Sequence, residues 1–302
     1  MKKIYTLFIA LVASLTFIPA FASAAVVYVE PSRTTISVGD TVILNVKINA
    51  EGTTINTVDG DIATVSGGSS VEVKEFSLAN SAFGLWPRTP SLSADGKLVS
   101  FVGGVPGGFN IEGATMFKII YEAKEAGEVT ISPVNISAYA NDGSGTKLPV
   151  QVRNTVITVQ EKNSNEPVVD EWKAIIAQDV TPPRDFIVVP GQDASLFEGK
   201  TFVFFSAVDN ETGISYYEVS ENGAPAVRSG STYVLQNQTD PVMLSVTAYD
   251  KAGNKKLATY NSEDAQAGTP WNIVGIVGAL LVLVVLVVGY RKMKKNTVNA
   301  QM

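Results

Sequence analysis

Hydrophobic and polar residues alternate with a period of two through much of the chain from residue 25 to about residue 160. In Thr41–Asn49 (TVILNVKIN), Val42, Leu44, Val46 and Ile48 share one parity and Asn45, Lys47 and Asn49 the other. That pattern predicts a strand with one buried face. Residues 115–124 repeat it, with Phe117, Ile119, Tyr121 and Ala123 set against Lys118, Glu122 and Lys124. Further strands are predicted at 26–29, 55–64, 71–76, 98–102, 128–131 and 136–139. Val150 and Val152 stand on one parity, Ile157 and Val159 on the opposite one, which predicts a bulge or break near Arg153-Asn154. Gly39-Asp40, Gly67-Gly68, Asp95-Gly96, Ala126-Gly127 and Asp142-Gly143 supply the turns. About nine short strands without a long amphipathic helix predict an all-β domain, a two-sheet sandwich over 25–160.

The pattern then lapses. Residues 161–179 are polar and acidic, with Glu166-Pro167 inside and Thr181-Pro182-Pro183 just beyond, and read as a linker with one helical turn around 172–177. Alternation resumes in a second, smaller all-β unit over 180–260, clearest at 201–208 (TFVFFSAV) and 242–249 (VMLSVTAY). In the latter Val242, Leu244, Val246 and Ala248 form the face expected to be buried. A polar stalk is expected at 261–270.

Both ends of the chain break the strand pattern. Lys2 and Lys3, an apolar run from Ile4 to about Phe21 and the small residues Ala22-Ser23-Ala24 predict a secretory signal peptide over 1–24. At the other end, the 18 residues from Ile273 to Tyr290 carry no charge. At about 1.5 Å per residue such a helix matches a hydrocarbon core. Trp271 and Tyr290 suit the interfaces, and Arg291, Lys292, Lys294 and Lys295 place the tail, 291–302, in the cytoplasm. The expectation is a single-pass transmembrane helix at 271–290 with both β domains extracytoplasmic, displayed at the cell membrane. The stretch before the span contains no Leu-Pro-x-Thr-Gly, so sortase attachment to a wall is not expected.

These ends change how the net charge of −6 is read. Two of the 23 basic residues lie in the leader and four in the tail, so 29 acidic residues face 17 basic ones between them, a balance of −12. An acidic surface repels phosphate backbones, which argues against nucleic acid as a partner. The chain has no cysteine and no histidine. The domains must therefore hold by core packing without disulfides, and the commonest general base and transition-metal ligand are missing. Asp59, Asp61, Glu72, Glu75 and Glu112 fall into no recognisable acid–base pairing, so the chain is expected not to be an enzyme.

Residues 25–160 resemble a cohesin domain, a jelly-roll sandwich related to carbohydrate-binding modules. The resemblance rests on the opening strand VVYVEP and on Ser37-Val38-Gly39-Asp40-Thr41-Val42 running into the alternating strand. It continues through the Gly-rich segment from Phe101 to Phe109, the strand ATMFKIIYEAK with Gly127 after it, and the stretch from Ser137 to Thr146. After Asp61 the sequence departs from cellulosomal cohesins, since Ser66-Gly67-Gly68-Ser69-Ser70 stands where a Tyr-Asp-Pro type turn is expected. The resemblance implies a dockerin-like protein partner or a polysaccharide, with a link to polysaccharide catabolism. The second unit resembles the Ig-like or fibronectin-like modules of bacterial surface proteins. It does so through the segments 179–183, 207–219 and 248–254, and such modules are usually spacers.

Within this frame Phe83, Trp86, Phe101 and Phe109 surround the Gly-rich segment and are the candidate ligand-binding residues, as a platform for sugar rings. The competing expectation is that they plug the sandwich core. Gly103-Gly104 and Gly107-Gly108 lack the following helix and lysine of a phosphate cradle. Asn141 and Asp142, on the turn 141–146, are candidate calcium ligands, against a plain tight turn. Asx-type turns account equally for Asp209, Glu211 and Asp250. No cofactor other than such a calcium ion is expected. The leading function is a membrane-displayed binding module; the alternative is a structural envelope or adhesion protein without a dedicated ligand.

Overall fold

The computed structural model describes residues 24–239 and 241–263. Among the described residues no helix is long and apolar enough to cross a membrane. The predicted span 271–290 and tail lie outside them, as does the predicted leader up to residue 23.

The first domain contains strands β1 (Ala25–Pro31), β2 (Thr35–Ser37), β3 (Thr41–Asn49), β4 (Ile55–Ser66), β5 (Val71–Ser77) and β6 (Leu85–Leu92). They are followed by β7 (Leu98–Phe109), β8 (Ala114–Ala123), β9 (Gly127–Ala140), β10 (Lys147–Leu148), β11 (Val150–Arg153) and β12 (Thr155–Gln160). One sheet has the order β11-β1-β3-β8-β5, the other β2-β12-β9-β4-β7-β6 with β10 beside β9. Between them lies a single apolar core, to which β3 gives Val42, Leu44, Val46 and Ile48 and β8 gives Phe117, Ile119 and Tyr121. Each fully buried aliphatic or Phe side chain contributes about 1.5–3 kcal/mol relative to exposure.

The parity switch near Asn154 is a change of sheet. Val150–Arg153 runs parallel to β1 in one sheet, whereas Thr155–Gln160 pairs antiparallel with β9 in the other. The two short strands expected at 128–131 and 136–139 are one strand, β9, in which Asn135 adopts a φ of 55° where the register against β4 shifts between Asp59 and Asp61. The sequence reading has no counterpart to β6, whose Pro87 and Pro90 contradict strand propensity. It lies at the edge of its sheet, where a proline costs no ladder bond on the solvent side.

The second domain is a two-sheet sandwich of seven strands. These are β13 (Val188–Gly191), β14 (Phe202–Phe205), β15 (Ile214–Glu221), β16 (Val227–Ser229), β17 (Thr232–Val234), β18 (Met243–Asp250) and β19 (Lys255–Asn261). The sheets have the orders β13-β14-β17 and β16-β15-β18-β19. Val242, Leu244, Val246 and Ala248 are buried on the expected parity and pack with Val203, Phe205 and Val219.

The stretch expected to be a free linker is docked. It holds a two-turn helix, α1 (Glu171–Gln178), capped by Asp170, whose carboxylate accepts from the backbone N–H of Lys173 at 3.0 Å. The indole of Trp172 is buried on Ile43 and Ile120, with Ile175 and Ile176 beside it. Ile43 and Ile120 point away from the sandwich core, so the helix covers apolar surface that the outer face of β3 and β8 would otherwise show to water.

Candidate functional site

The four aromatics singled out in the sequence do meet, but inside the sandwich. Phe101 is 0%, Phe83 2% and Phe109 7% exposed. Phe83 makes edge-on contacts with Trp86 and Phe109 at centroid distances of 5.5 and 5.6 Å, and Phe117 lies 4.9 Å from Phe101. Burial leaves no ring face for a sugar at Phe83, Phe101 or Phe109, which corrects the expectation of a four-residue stacking platform. Trp86 is half-buried and lines a cleft of about 510 Å³ between the two domains, opposite Pro190, Phe202 and Tyr216. Packing against two of these rings holds position 103 to glycine. A Cβ on Gly103 would sit 2.5 Å from Phe83 Cδ2 and 2.9 Å from Trp86 Cζ3. Gly103→Ala is therefore expected to cost about 1–3 kcal/mol by overpacking, read as a lowered midpoint in urea denaturation.

The turn 141–146 is satisfied by its own donors. Asp142 Oδ1 accepts from the backbone N–H groups of Ser144 and Gly145, both at 2.9 Å, and Oδ2 accepts from the Thr146 hydroxyl. The Thr146 hydroxyl, then the backbone of Ser144, hold the Asp142 carboxyl far below the usual carboxylate range. Asn141 donates its amide N–H to the carbonyl of Gly107 at 2.8 Å. These bonds describe a closed Asx turn, with both carboxylate oxygens of Asp142 engaged locally.

The two outer faces of the first sandwich differ. The outer face of β3, β8 and β5 is covered by the chain itself. Besides the Trp172 contact, Trp172 Nε1 donates to Glu75 Oε2 at 2.6 Å, and Lys251 of the second domain pairs with the other oxygen of Glu75. Lys251 also donates to the carbonyl of Phe76 at 2.9 Å, and the hydroxyl of Ser77 donates to the carbonyl of Thr212 at 2.7 Å. Lys118 is enclosed at this junction; burial pushes its pKa down, and the carboxylates of Asp209 and Glu211 oppose that shift.

Among the described residues, the outer face of β9, β4, β7 and β6 meets the second domain only along the β6 edge, at the Trp86 cleft. Val58 and Ile62 turn into the core, so Asp61 turns outward, where Ser100 Oγ donates to its Oδ1 at 2.6 Å and Asn135 Nδ2 to its Oδ2 at 3.0 Å. In register around this centre stand Val102 opposite Arg88, Ser100 opposite Ser91, and Tyr139 opposite Thr57. Arg88 and Ser91 are exposed. Among the described residues no hydrogen bond or ion pair ties the helix or the second domain to Arg88, Ser91, Ser100, Val102, Asp61, Asn135 or Tyr139. Chemically this is a flat, mixed-polarity sheet surface with a fixed hydrogen-bonding centre, suited to a protein face and not to enclosing a small molecule.

The structure also brings together Asp179, Asp209 and Asp250, all buried, with carboxylate oxygens within 4.8 Å of one another. Asp179 ends α1, Asp209 follows β14 and Asp250 ends β18. Asp209 Oδ1 accepts from the backbone N–H groups of Thr212 at 2.8 Å and Gly213 at 2.7 Å. Asp179 Oδ2 accepts from the Thr212 hydroxyl at 2.6 Å. Asp250 accepts from the Asn254 backbone and side chain at 2.8 and 2.9 Å. Burial pushes the Asp250 carboxyl up, against the pull of the Asn254 bonds, and the charges of Asp179 and Asp209 add to the rise. In the sequence Asp209, Glu211 and Asp250 read as Asx-type turn residues, with a metal as the competing reading. That is right for one oxygen of Asp209 and misses the convergence.

No family model matches the chain, and no curated protein matches its sequence. Solved structures similar to it are cohesin modules. The seventh type I cohesin of ScaB from Pseudobacteroides cellulosolvens is 18% identical with a TM-score of 0.38, covering 48% of this chain and 97% of that one. The cohesin module of a family 33 glycoside hydrolase from Clostridium perfringens is 10% identical with a TM-score of 0.40, covering 46% and 99%. A type I cohesin–dockerin complex from Clostridium thermocellum is matched at 12% identity and a TM-score of 0.37, covering 46% and 95%.

Proposed function

We propose that the protein is a non-catalytic display module whose first domain binds a dockerin-type protein partner across the open face of β9, β4, β7 and β6. The observation that carries this reading is the asymmetry of the sandwich. One outer face is closed by α1 and the second domain, through Trp172, Glu75 and Lys251, while on the other Arg88, Ser91, Val102 and the Asp61 centre bond to neither, and the second domain borders only the β6 edge at the Trp86 cleft. The class of partner follows from the resemblance of residues 25–160 to cohesins. In this reading the leader exports the chain, the second domain acts as a spacer, and residues 271–290 anchor it in the membrane.

Isothermal titration of the 302-residue chain in detergent, against a set of purified dockerin modules and of soluble polysaccharides, tests the proposal. Saturable one-to-one binding of a dockerin module is the expected result. Binding of a polysaccharide alone would move the site to the Trp86 cleft, and no binding by either class would leave the purely structural role.

A further inference from the structure

Three buried carboxylates with oxygens within 4.8 Å of one another are costly unless something positive stands among them. Among the described residues no lysine or arginine comes within ion-pair distance of Asp179, Asp209 or Asp250. Lys118 faces the same junction, but it makes no hydrogen bond to the free oxygen of Asp209. That oxygen is the decisive observation. Asp209 is 2% exposed, its Oδ1 is used by the turn that follows it, and its Oδ2 is buried without any hydrogen-bond partner. Two residues on, Glu211 Oε2 is likewise buried and unpartnered. A buried acceptor left empty forfeits its hydration without replacement, and the loss is greater when it is charged.

The geometry points to a calcium ion held between Asp179, Asp209 and Asp250, at the seam where α1, the second domain and the first domain meet. An ion 2.3–2.6 Å from each of its oxygens spans about the separation these carboxylates show, within 4.8 Å of one another. Hard oxygen donors exclude a preference for soft metals. Magnesium keeps several waters in a strict octahedron, whereas calcium accepts an irregular set of carboxylate and amide oxygens, which suits a buried site. Asn254, whose side-chain amide lies 2.9 Å from Asp250 and 3.4 Å from Asp179, can supply a further oxygen by turning its amide over.

The site would be structural. Asp209 is fixed to the first domain through its carbonyl, which accepts from the backbone N–H of Asn80 at 3.1 Å. The next residues of its turn bond Ser77 and pack on Ala79, since a Cβ on Gly213 would lie 2.9 Å from the Ala79 nitrogen. An ion bound here ties the end of the linker helix to both β18 and the junction loop. It would stiffen the joint between the two sandwiches.

Calcium titration of the 302-residue chain after chelator treatment tests the assignment, with calorimetric melting in chelator and in calcium alongside it. One bound calcium and a melting temperature raised by several degrees are expected, with magnesium at equal concentration giving a smaller rise. Asp209→Asn keeps the acceptor used by the turn and removes the charge, and is expected to weaken calcium binding by about 100-fold. Asp142→Ala, on the self-satisfied turn, should bind as the parent does. Absence of calcium binding to the parent chain overturns the proposal, as does loss of binding in Asp142→Ala with retention in Asp209→Asn.

Discussion

Phe101→Ala is expected to destabilise the first domain by about 3–5 kcal/mol, the range for removing a buried aromatic ring. Phe101 is fully buried and its ring stands 4.9 Å from that of Phe117, which in turn meets the edge of Trp86 at 6.1 Å. The ring is held from both sheets, β7 below and β8 above, so the cavity has little freedom to collapse. For a sandwich of this size the loss corresponds to a fall of about 10–20 °C in its melting temperature. Differential scanning calorimetry checks it. An unchanged melting temperature would mean that the ring is not part of the core and would reopen a surface role for it.

The same residue shows what the sequence could and could not say. The parity of Val42 to Ile48 told which side of β3 faces the core, because a period of two is a local property of the strand. Phe101 and Phe109 stand beside glycines in a segment with no clean alternation, so the sequence favours the core for them and leaves a sugar platform as the competing reading. Only the crossing of β7 under β8 decides for the core. Ile43 and Ile120 show the opposite difficulty. They sit at positions that alternation assigns to solvent, and they are buried because a helix more than a hundred residues from Ile43 lies on them. The acidic cluster was half legible. Asp179, Asp209 and Asp250 each stand in one of the three segments that carry the Ig-like resemblance, but nothing local predicts that three turns meet at one point.

Trp172→Ala is expected to have the second large effect, about 3–5 kcal/mol, expressed as release of α1 and not as loss of either sandwich. The indole is 2% exposed, packs on Ile43 and Ile120, and donates to Glu75, the same carboxylate that Lys251 reaches from the second domain. Removing it strips one partner from Glu75 and opens apolar surface on β3 and β8. Backbone amides of 172–178 should then exchange with solvent much faster while those of β3 and β18 stay protected. Uniform loss of protection across both domains would show instead that the helix is integral to the first core. The variant should also leave partner binding intact, since the proposed binding face is on the opposite sheet.

The separation of a covered face from a binding face is open to direct test. The paired substitutions Arg88→Glu and Ser91→Arg alter the open face at two exposed positions, and Val152→Lys alters exposed β11 of the other sheet. The deciding measurement is calorimetric titration of these two variants and the parent chain with the dockerin module that binds the parent. The Arg88/Ser91 variant is expected to bind at least about tenfold more weakly, a loss of about 1.4 kcal/mol or more, while Val152→Lys binds as the parent does. Equal binding by the Arg88/Ser91 variant and the parent, or a loss confined to Val152→Lys, would contradict that separation.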